Sequence, residues 1–222
     1  MADENKWEQF ASSFEEKNNY VVGIKDIQRV KVALLSVTNL GKMLELGCGN
    51  GTYTSCFVDS ASHITATDLS EDMVAVTKER FDGIEHVTVE SADCFALPYE
   101  DNSFDTVFMA NLLHVIPEPE RALAEANRVL KPEGKLMAMS FTLDGMSFFN
   151  KLGLKYRFVK TYGAKSGSST MMTPQLASSL ASTAKFENIT TQVLGKSVKA
   201  VYLSATKRKV TENQTIEAAV AV

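Results

Sequence analysis

Apolar and polar residues change their period partway along the chain. Between residues 5 and 40, Trp7, Phe10 and Phe14 recur at helical spacing, as do Ile27, Val30 and Leu34. The spacing predicts helices over this region, broken into two pieces at Asn18-Asn19, with Gly41 expected to end the second. From residue 42 apolar runs of strand length take over, at 43–46, 63–67, 86–89, 104–109 and 135–141. Helical stretches fit between them at 52–60, 70–80 and 119–130, the last framed by Pro117 and Pro119 before it and by Pro132 and Gly134 after it. Strand alternating with helix predicts an α/β fold: a parallel sheet with helices covering both faces.

Residues 144–172 break this rhythm. They mix Phe148, Phe149, Tyr156, Phe158 and Tyr162 with Gly, Met and Ser, and they are long for a simple connection. A lid or substrate-binding insertion is expected there. A helix over 174–184 follows, then two strands at about 186–194 and 198–206 joined by a turn at Gly195. Residues 1–206 read as one domain and 207–222 as a flexible tail.

Composition narrows the class. The chain has 222 residues with 23 Lys plus Arg against 27 Asp plus Glu, a net charge of -4. A mildly acidic chain has no general attraction for a phosphate backbone, so no nucleic-acid partner is expected, and Lys207-Arg208-Lys209 reads as a solvated run. Cys48, Cys56 and Cys94 are odd in number and lack C-x-x-C spacing, so neither a disulfide framework nor a metal site is expected, and a reducing, cytoplasmic compartment is. The polar start does not read as a secretory signal, and no stretch is apolar enough for membrane insertion.

The most informative stretch is Met43-Leu44-Glu45-Leu46-Gly47-Cys48-Gly49-Asn50-Gly51-Thr52, where a strand runs into three glycines. Glycine permits unusual dihedrals and close approach of a ligand to the main chain, at the strand end where open α/β sheets bind ligands. A tight turn without a ligand would need the same glycines. Spacing separates this turn from a dinucleotide site: G-x-x-G should end at residue 52, which is Thr. Glu45 would repel a pyrophosphate and would pair with a cationic group instead. S-adenosylmethionine has a sulfonium, an ammonium and no phosphate, and suits the turn better than NAD.

Two more acids end strands. Asp68 lies about twenty residues past the glycines, where a carboxylate can accept ribose hydroxyls. Its alternative role, helix N-cap, falls more naturally to Ser70, with Glu71 and Asp72 behind it. Asp93 ends the third strand and is read either as a hydrogen-bond acceptor for an adenine amine or as an ordinary loop residue.

At this point the residues resemble a family. Glu45-Leu46-Gly47-Cys48-Gly49-Asn50-Gly51 is similar to the first motif of class I S-adenosylmethionine-dependent methyltransferases, and Asp68 to their ribose-binding acid. Ala92-Asp93-Cys94 with Leu97-Pro98-Tyr99-Glu100-Asp101-Asn102-Ser103-Phe104-Asp105 resembles a further motif. So does Arg128-Val129-Leu130-Lys131-Pro132-Glu133-Gly134, with Glu133 where glycine is commoner. Four motifs in order, over residues 40–141, imply a Rossmann-like, doubly wound sheet of seven strands, mostly parallel with its last strand antiparallel. They also imply that S-adenosylmethionine is bound and S-adenosylhomocysteine released.

Carried over by position, Glu45 and the backbone of Gly47, Gly49 and Gly51 hold the methionine part. Asp68 holds the ribose, and Asp93 with Cys94 the adenine. Cys48 belongs to the turn, and Asn111 lies near the methionine moiety. Leu69 and Met73 pack on the adenosine, with core packing the stronger reading for Met73. Tyr20 is expected to close over the cofactor.

Methyl transfer needs alignment and a dry pocket, and a base only where the acceptor must lose a proton. His114 is the one candidate base near this end of the sheet, and a structural histidine is the stronger reading. His63 and His86 are read as structural at the opposite end. Tyr156 and Lys160 have the Y-x-x-x-K spacing of short-chain dehydrogenases without their glycine pattern, and are read as lid or packing. The substrate expected is a small, partly apolar molecule. Met109-Ala110-Asn111-Leu112 stands where adenine or amide methylation would call for N-P-P-Y. A protein or nucleic-acid methyltransferase and a non-catalytic binding module are the alternatives.

Overall fold

The structure, a computed structural model, describes residues 14–163 and 170–209. The expected helical start with Trp7 and Phe10, and most of the expected tail, lie outside the described residues. Seven strands form one sheet: β1 (Gly41–Leu46), β2 (Ala61–Asp68), β3 (Val87–Ser91), β4 (Phe104–Ala110), β5 (Leu130–Thr142), β6 (Phe186–Leu194) and β7 (Lys199–Lys207). Their order is β3-β2-β1-β4-β5-β7-β6. The pairs among the first five are parallel, whereas β7 runs antiparallel to both β5 and β6. This is the sheet the motifs imply. The strand order reverses between β1 and β4, and the loops leaving them part to open a crevice.

Among the described residues six α-helices flank the sheet: α1 (Phe14–Asn18), α2 (Ile24–Leu35), α3 (Glu71–Arg80), α4 (Pro119–Val129), α5 (Phe148–Tyr162) and α6 (Pro174–Thr183). Leu123, Ala126 and Val129 of α4 and Ala177, Leu180 and Ala181 of α6 bury against Leu44, Leu46 and Val107 on one face. Val30 and Leu34 of α2, Phe57 and Val74 bury against Met43, Ile64 and Phe108 on the other. Each face therefore has its own apolar layer, as a buried parallel sheet requires. Among the described residues no helix is long and apolar enough to cross a membrane.

Several expectations need correction. Residues 52–60 form only one 3-10 turn, Thr54–Cys56. Thr52-Tyr53-Thr54-Ser55-Cys56 is a run of weak helix formers, and the Thr52 and Ser55 hydroxyls bond locally instead. Gly41 does not end a helix, because α2 stops at Leu35. It opens β1 at φ 58, where an added Cβ would stand 2.6 Å from an Asp105 carboxylate oxygen. A π-helical stretch, Asn19–Gly23, follows α1, and the chain turns into α2 at Gly23, φ 96, beyond the Asn18-Asn19 break. Within residues 144–172, where the sequence suggests a lid or substrate-binding insertion, lies a helix of 15 residues, α5.

Two motifs prove to be rivets. Arg128 on α4 holds both Glu125 oxygens at 2.8 Å, Asp101 at 2.8 Å, and the carbonyls of Tyr99 and Leu97 at 2.7 and 3.0 Å. The loop before β4 is thereby fastened to the helix that follows it. Glu133 sits at φ 64, a conformation that favours glycine and accounts for the family's commoner residue there.

Asp26, which periodicity passes over, is nearly buried on α2. Its carboxylate accepts the N–H groups of Lys196, Ser197 and Val198 at 2.9, 3.1 and 2.8 Å, and Arg29 at 2.7 Å. Burial pushes its pKa up, but these four donors outweigh burial and hold it below the usual carboxylate range. A depressed pKa contributes stability above the unfolded value that is lost as pH falls below it. Asp26→Ala is expected to cost about 2 to 3 kcal/mol at pH 7 by urea unfolding, from amides left unpaired at the β6–β7 turn. The difference should shrink in acid below the model-peptide value of 3.8.

Candidate functional site

The chain leaves β1 through a turn in which Gly47, Gly49 and Gly51 have φ of 70, 55 and 73. A Cβ at Gly51 would meet Phe81 at 2.5 Å, whereas one at Gly49 would meet nothing within 4 Å. Gly49 thus has a backbone that only glycine adopts readily and open space above it, which is what close ligand approach needs. Thr77 Oγ1 donates to the Gly49 carbonyl at 2.6 Å, and Arg80 to the Asn50 carbonyl at 3.0 Å, so α3 clamps the turn.

Asp68 ends β2 beside it. One carboxylate oxygen accepts the Gly49 N–H at 2.9 Å and the other the Ser70 N–H at 3.0 Å. The side chain is therefore not free, as the sequence suggested, but ties the turn to the start of α3. Each oxygen keeps a second lone pair for a ligand hydroxyl. Ser70 is the N-cap, accepting the Met73 N–H at 3.4 Å. Leu69, 53% exposed, presents an apolar surface next to Asp68. Met73 is buried, so its place is the core beneath the turn rather than the adenosine surface.

Glu45 is the unusual group. It is 0% exposed, and neither carboxyl oxygen has a hydrogen-bond partner. The Tyr53 hydroxyl and Thr54 Oγ1 are likewise buried and unpartnered. Thr54 lies beside Glu45, and the Tyr53 phenol beside Asn111, both outside hydrogen-bond geometry. Burial raises the Glu45 pKa to about 8. Orphaned acceptors at this density are rare in native proteins and mark a place where a partner belongs. A cationic ligand group would supply it, and the ammonium of S-adenosylmethionine fits that donor set. The sequence reading missed Tyr53 and Thr54 because it placed them on a helix.

The remaining candidates are spread around this centre. Asp93 is exposed and accepts the Phe95 N–H at 2.9 Å, leaving its other oxygen open. Cys94 lies close enough to Asp68 to feel its charge, and its thiol is pushed up to about 12, chiefly by burial. Cys48 is buried within the turn. Asn111, at φ 56, donates its N–H to Met139 and accepts the Phe141 N–H, holding β4 and β5 together where the crevice opens. Tyr20 lies on the π-helical stretch under the Lys160 ammonium, 5.7 Å from its ring, and its described contacts join it to α5 rather than to the glycine turn.

His114 follows β4, and its carbonyl accepts the Thr170 N–H at 3.0 Å. Its Nδ1 is buried and unpartnered, and burial pushes its pKa down to about 4. The imidazole is neutral at pH 7 but a weak base. Its stabilising contribution is present above the unfolded value of 6.5 and is lost as pH falls toward 4. His114→Gln is expected to keep methyl transfer within about threefold and to remove about 2 to 3 kcal/mol of the acid sensitivity in that window. A rate profile of the wild type against pH, and melting of both proteins between pH 7 and 4, would check it. His86 and His63 bond Val58 and Thr88 at the opposite end of the sheet.

A Rossmann-like sheet of this strand order, with a glycine turn between an orphaned acid on β1 and a second acid on β2, defines a class I S-adenosylmethionine-dependent methyltransferase fold. Residues 44–138 match the family described as Methyltransferase domain. A demethylmenaquinone methyltransferase of Staphylococcus aureus is 37% identical over 122 residues, 53% of this chain and 51% of that protein. The chain spans about half the length of the curated relatives it matches. Among solved structures, a Thermotoga maritima S-adenosylmethionine-dependent methyltransferase superposes with a TM-score of 0.68 at 23% identity, over 92% of this chain and 99% of that one. A Haemonchus contortus phosphoethanolamine N-methyltransferase, solved with S-adenosylhomocysteine, gives 0.69 at 15% identity, over 94% of this chain and 60% of that one.

Proposed function

We propose that this chain binds S-adenosylmethionine across the β1–β2 strand ends and transfers its methyl group to a small-molecule acceptor by direct displacement. The observation that carries the reading is the buried Glu45 carboxyl, unpartnered on both oxygens, directly behind a glycine turn with open space over Gly49. When bound, the sulfonium supplies a methyl carbon already activated toward a nucleophile.

The chain's residues then have positioning work. Glu45 pairs with the ammonium, and the Gly47–Gly51 backbone receives the methionine moiety. Asp68 accepts ribose hydroxyls on its remaining lone pairs, Leu69 covers the adenosine, and Asp93 with Cys94 meets the adenine. The N-terminal segment and the inner side of α5, joined where Arg157 donates to the Val21 carbonyl at 2.8 Å, would cover the acceptor and exclude water. His114, being a weak base, suits acceptors that do not need prior deprotonation. An apolar ring compound, of the kind named for the Staphylococcus aureus relative, is the first acceptor class to test. The free thiols fit a cytoplasmic setting.

Calorimetric titration with S-adenosylmethionine, S-adenosylhomocysteine and NAD tests the cofactor. Binding of the first two alone is expected, and binding of NAD alone would overturn the reading. Transfer of a labelled methyl group to apolar ring acceptors tests the reaction.

A further inference from the structure

Helix α5 has no buried residue. Phe148, Leu152, Tyr156 and Val159 succeed one another by four, four and three positions, with Phe149 alongside. At 3.6 residues per turn these five share an arc of about 100°. All five are exposed, Phe148 by 74% and Phe149 by 81%. Single exposed apolar residues need no explanation, but a continuous stripe of large ones on one helix does.

The cations are placed around that stripe. Lys151 and Lys155 run along one margin and Lys160 along the other, all exposed. With Arg157 the helix carries four cations and no carboxylate, in a chain whose net charge is -4. Among the described residues no ion pair engages Lys151, Lys155 or Lys160. The opposite side of the helix is docked: Leu154 packs on the cluster of Val22, Ile27, Met146 and Val198, and Arg157 bonds the Val21 carbonyl. The apolar stripe is therefore held outward by a fixed inner face.

We propose that α5 is a surface anchor that lays its Phe148–Val159 stripe into the headgroup boundary of an anionic lipid bilayer. Charge complementarity selects this occupant. An apolar arc with lysines on both margins lets the rings enter the acyl boundary while the ammonium groups stay with lipid phosphates. A second copy of the chain would bring two lysine-edged stripes together and place like charges against each other. The inference stands apart from methyl transfer, since it concerns where the enzyme sits.

The test is flotation of the full chain with vesicles of phosphatidylcholine alone and of phosphatidylcholine with phosphatidylglycerol. Binding to the anionic vesicles, weakened by added salt, is expected. Phe148→Ser combined with Phe149→Ser should lower the partition coefficient at least about tenfold. Lys151→Gln combined with Lys155→Gln should abolish the preference for anionic lipid. These side chains are exposed, so cofactor titration and circular dichroism of the variants should match the wild type. Absence of binding by the wild type, or variants that bind as well as it does, would overturn the proposal. A dimer that the phenylalanine pair disrupts would overturn it too, by giving the stripe to a second copy.

Discussion

Asp68→Ala is expected to weaken S-adenosylmethionine binding about 1,000-fold, about 4 kcal/mol. The loss has two sources, because the carboxylate has two jobs. It accepts the Gly49 and Ser70 amides, which sets the turn's path and the start of α3. It also presents lone pairs toward the ribose position. Hydrogen bonds to a charged acceptor contribute about 1.5 to 3 kcal/mol each, so losing the ribose contacts and slackening the turn reaches the predicted size. Asp68→Asn separates the jobs, since one oxygen remains for an amide while the other becomes a donor. If Asp68 holds the ribose, the wild type will prefer S-adenosylhomocysteine to its 2′-deoxy analogue and the Asn variant will lose that preference. If it only shapes the turn, both proteins will discriminate equally.

Much of this architecture is readable from the chain because backbone physics forces it. Gly47, Gly49 and Gly51 announce positive φ, and apolar runs bounded by helices announce a covered parallel sheet. Ser70 is readable as a cap because Glu71 and Asp72 follow it. What escapes is whatever depends on partners far away in sequence. Asp26 bonds residues 196–198 across 170 positions and more, and no local pattern marks it. Arg128 is recognisable as part of a motif, yet its role as the clamp on loop 97–101 needs coordinates. Helix α5 hides for another reason: its Phe148, Phe149, Leu152, Tyr156 and Val159 are exposed to solvent, so the usual link between apolar periodicity and a buried face misleads. The candidate site divides the same way. Positions on strand ends are legible, but the fact that Asp68 is already bonded, that Met73 is core, that Thr54 lies beside Glu45 and that Tyr53 lies beside Asn111 is not.

Glu45→Gln is expected to remove the protein's loss of stability at high pH while weakening cofactor binding. With a folded pKa of about 8 against an ordinary value of 4.5, Glu45 prefers its neutral form in the native state. A raised pKa gives stability that is complete below the unfolded value and is lost as pH rises through the folded one. The unliganded wild type should therefore lose about 1.4 kcal/mol per pH unit across this window, about 5 kcal/mol in all. Glutamine has nearly the same shape and does not titrate, so the variant should match the wild type near pH 5 and exceed it by several kcal/mol at pH 9. Urea unfolding at the two pH values reads this directly, and parallel curves would mean that the carboxyl is not the group responsible. Binding supplies the second arm. A ligand ammonium that pairs with Glu45 must displace its proton at pH 7, so calorimetry in buffers of different ionisation enthalpy should show proton release by the wild type and none by the variant. Affinity in the variant should fall at least about tenfold, for loss of one charge-assisted contact. The buried acid is thus costly to the free protein at high pH, and the cation it awaits removes that cost, which makes cofactor binding and folding stability two readings of one carboxyl.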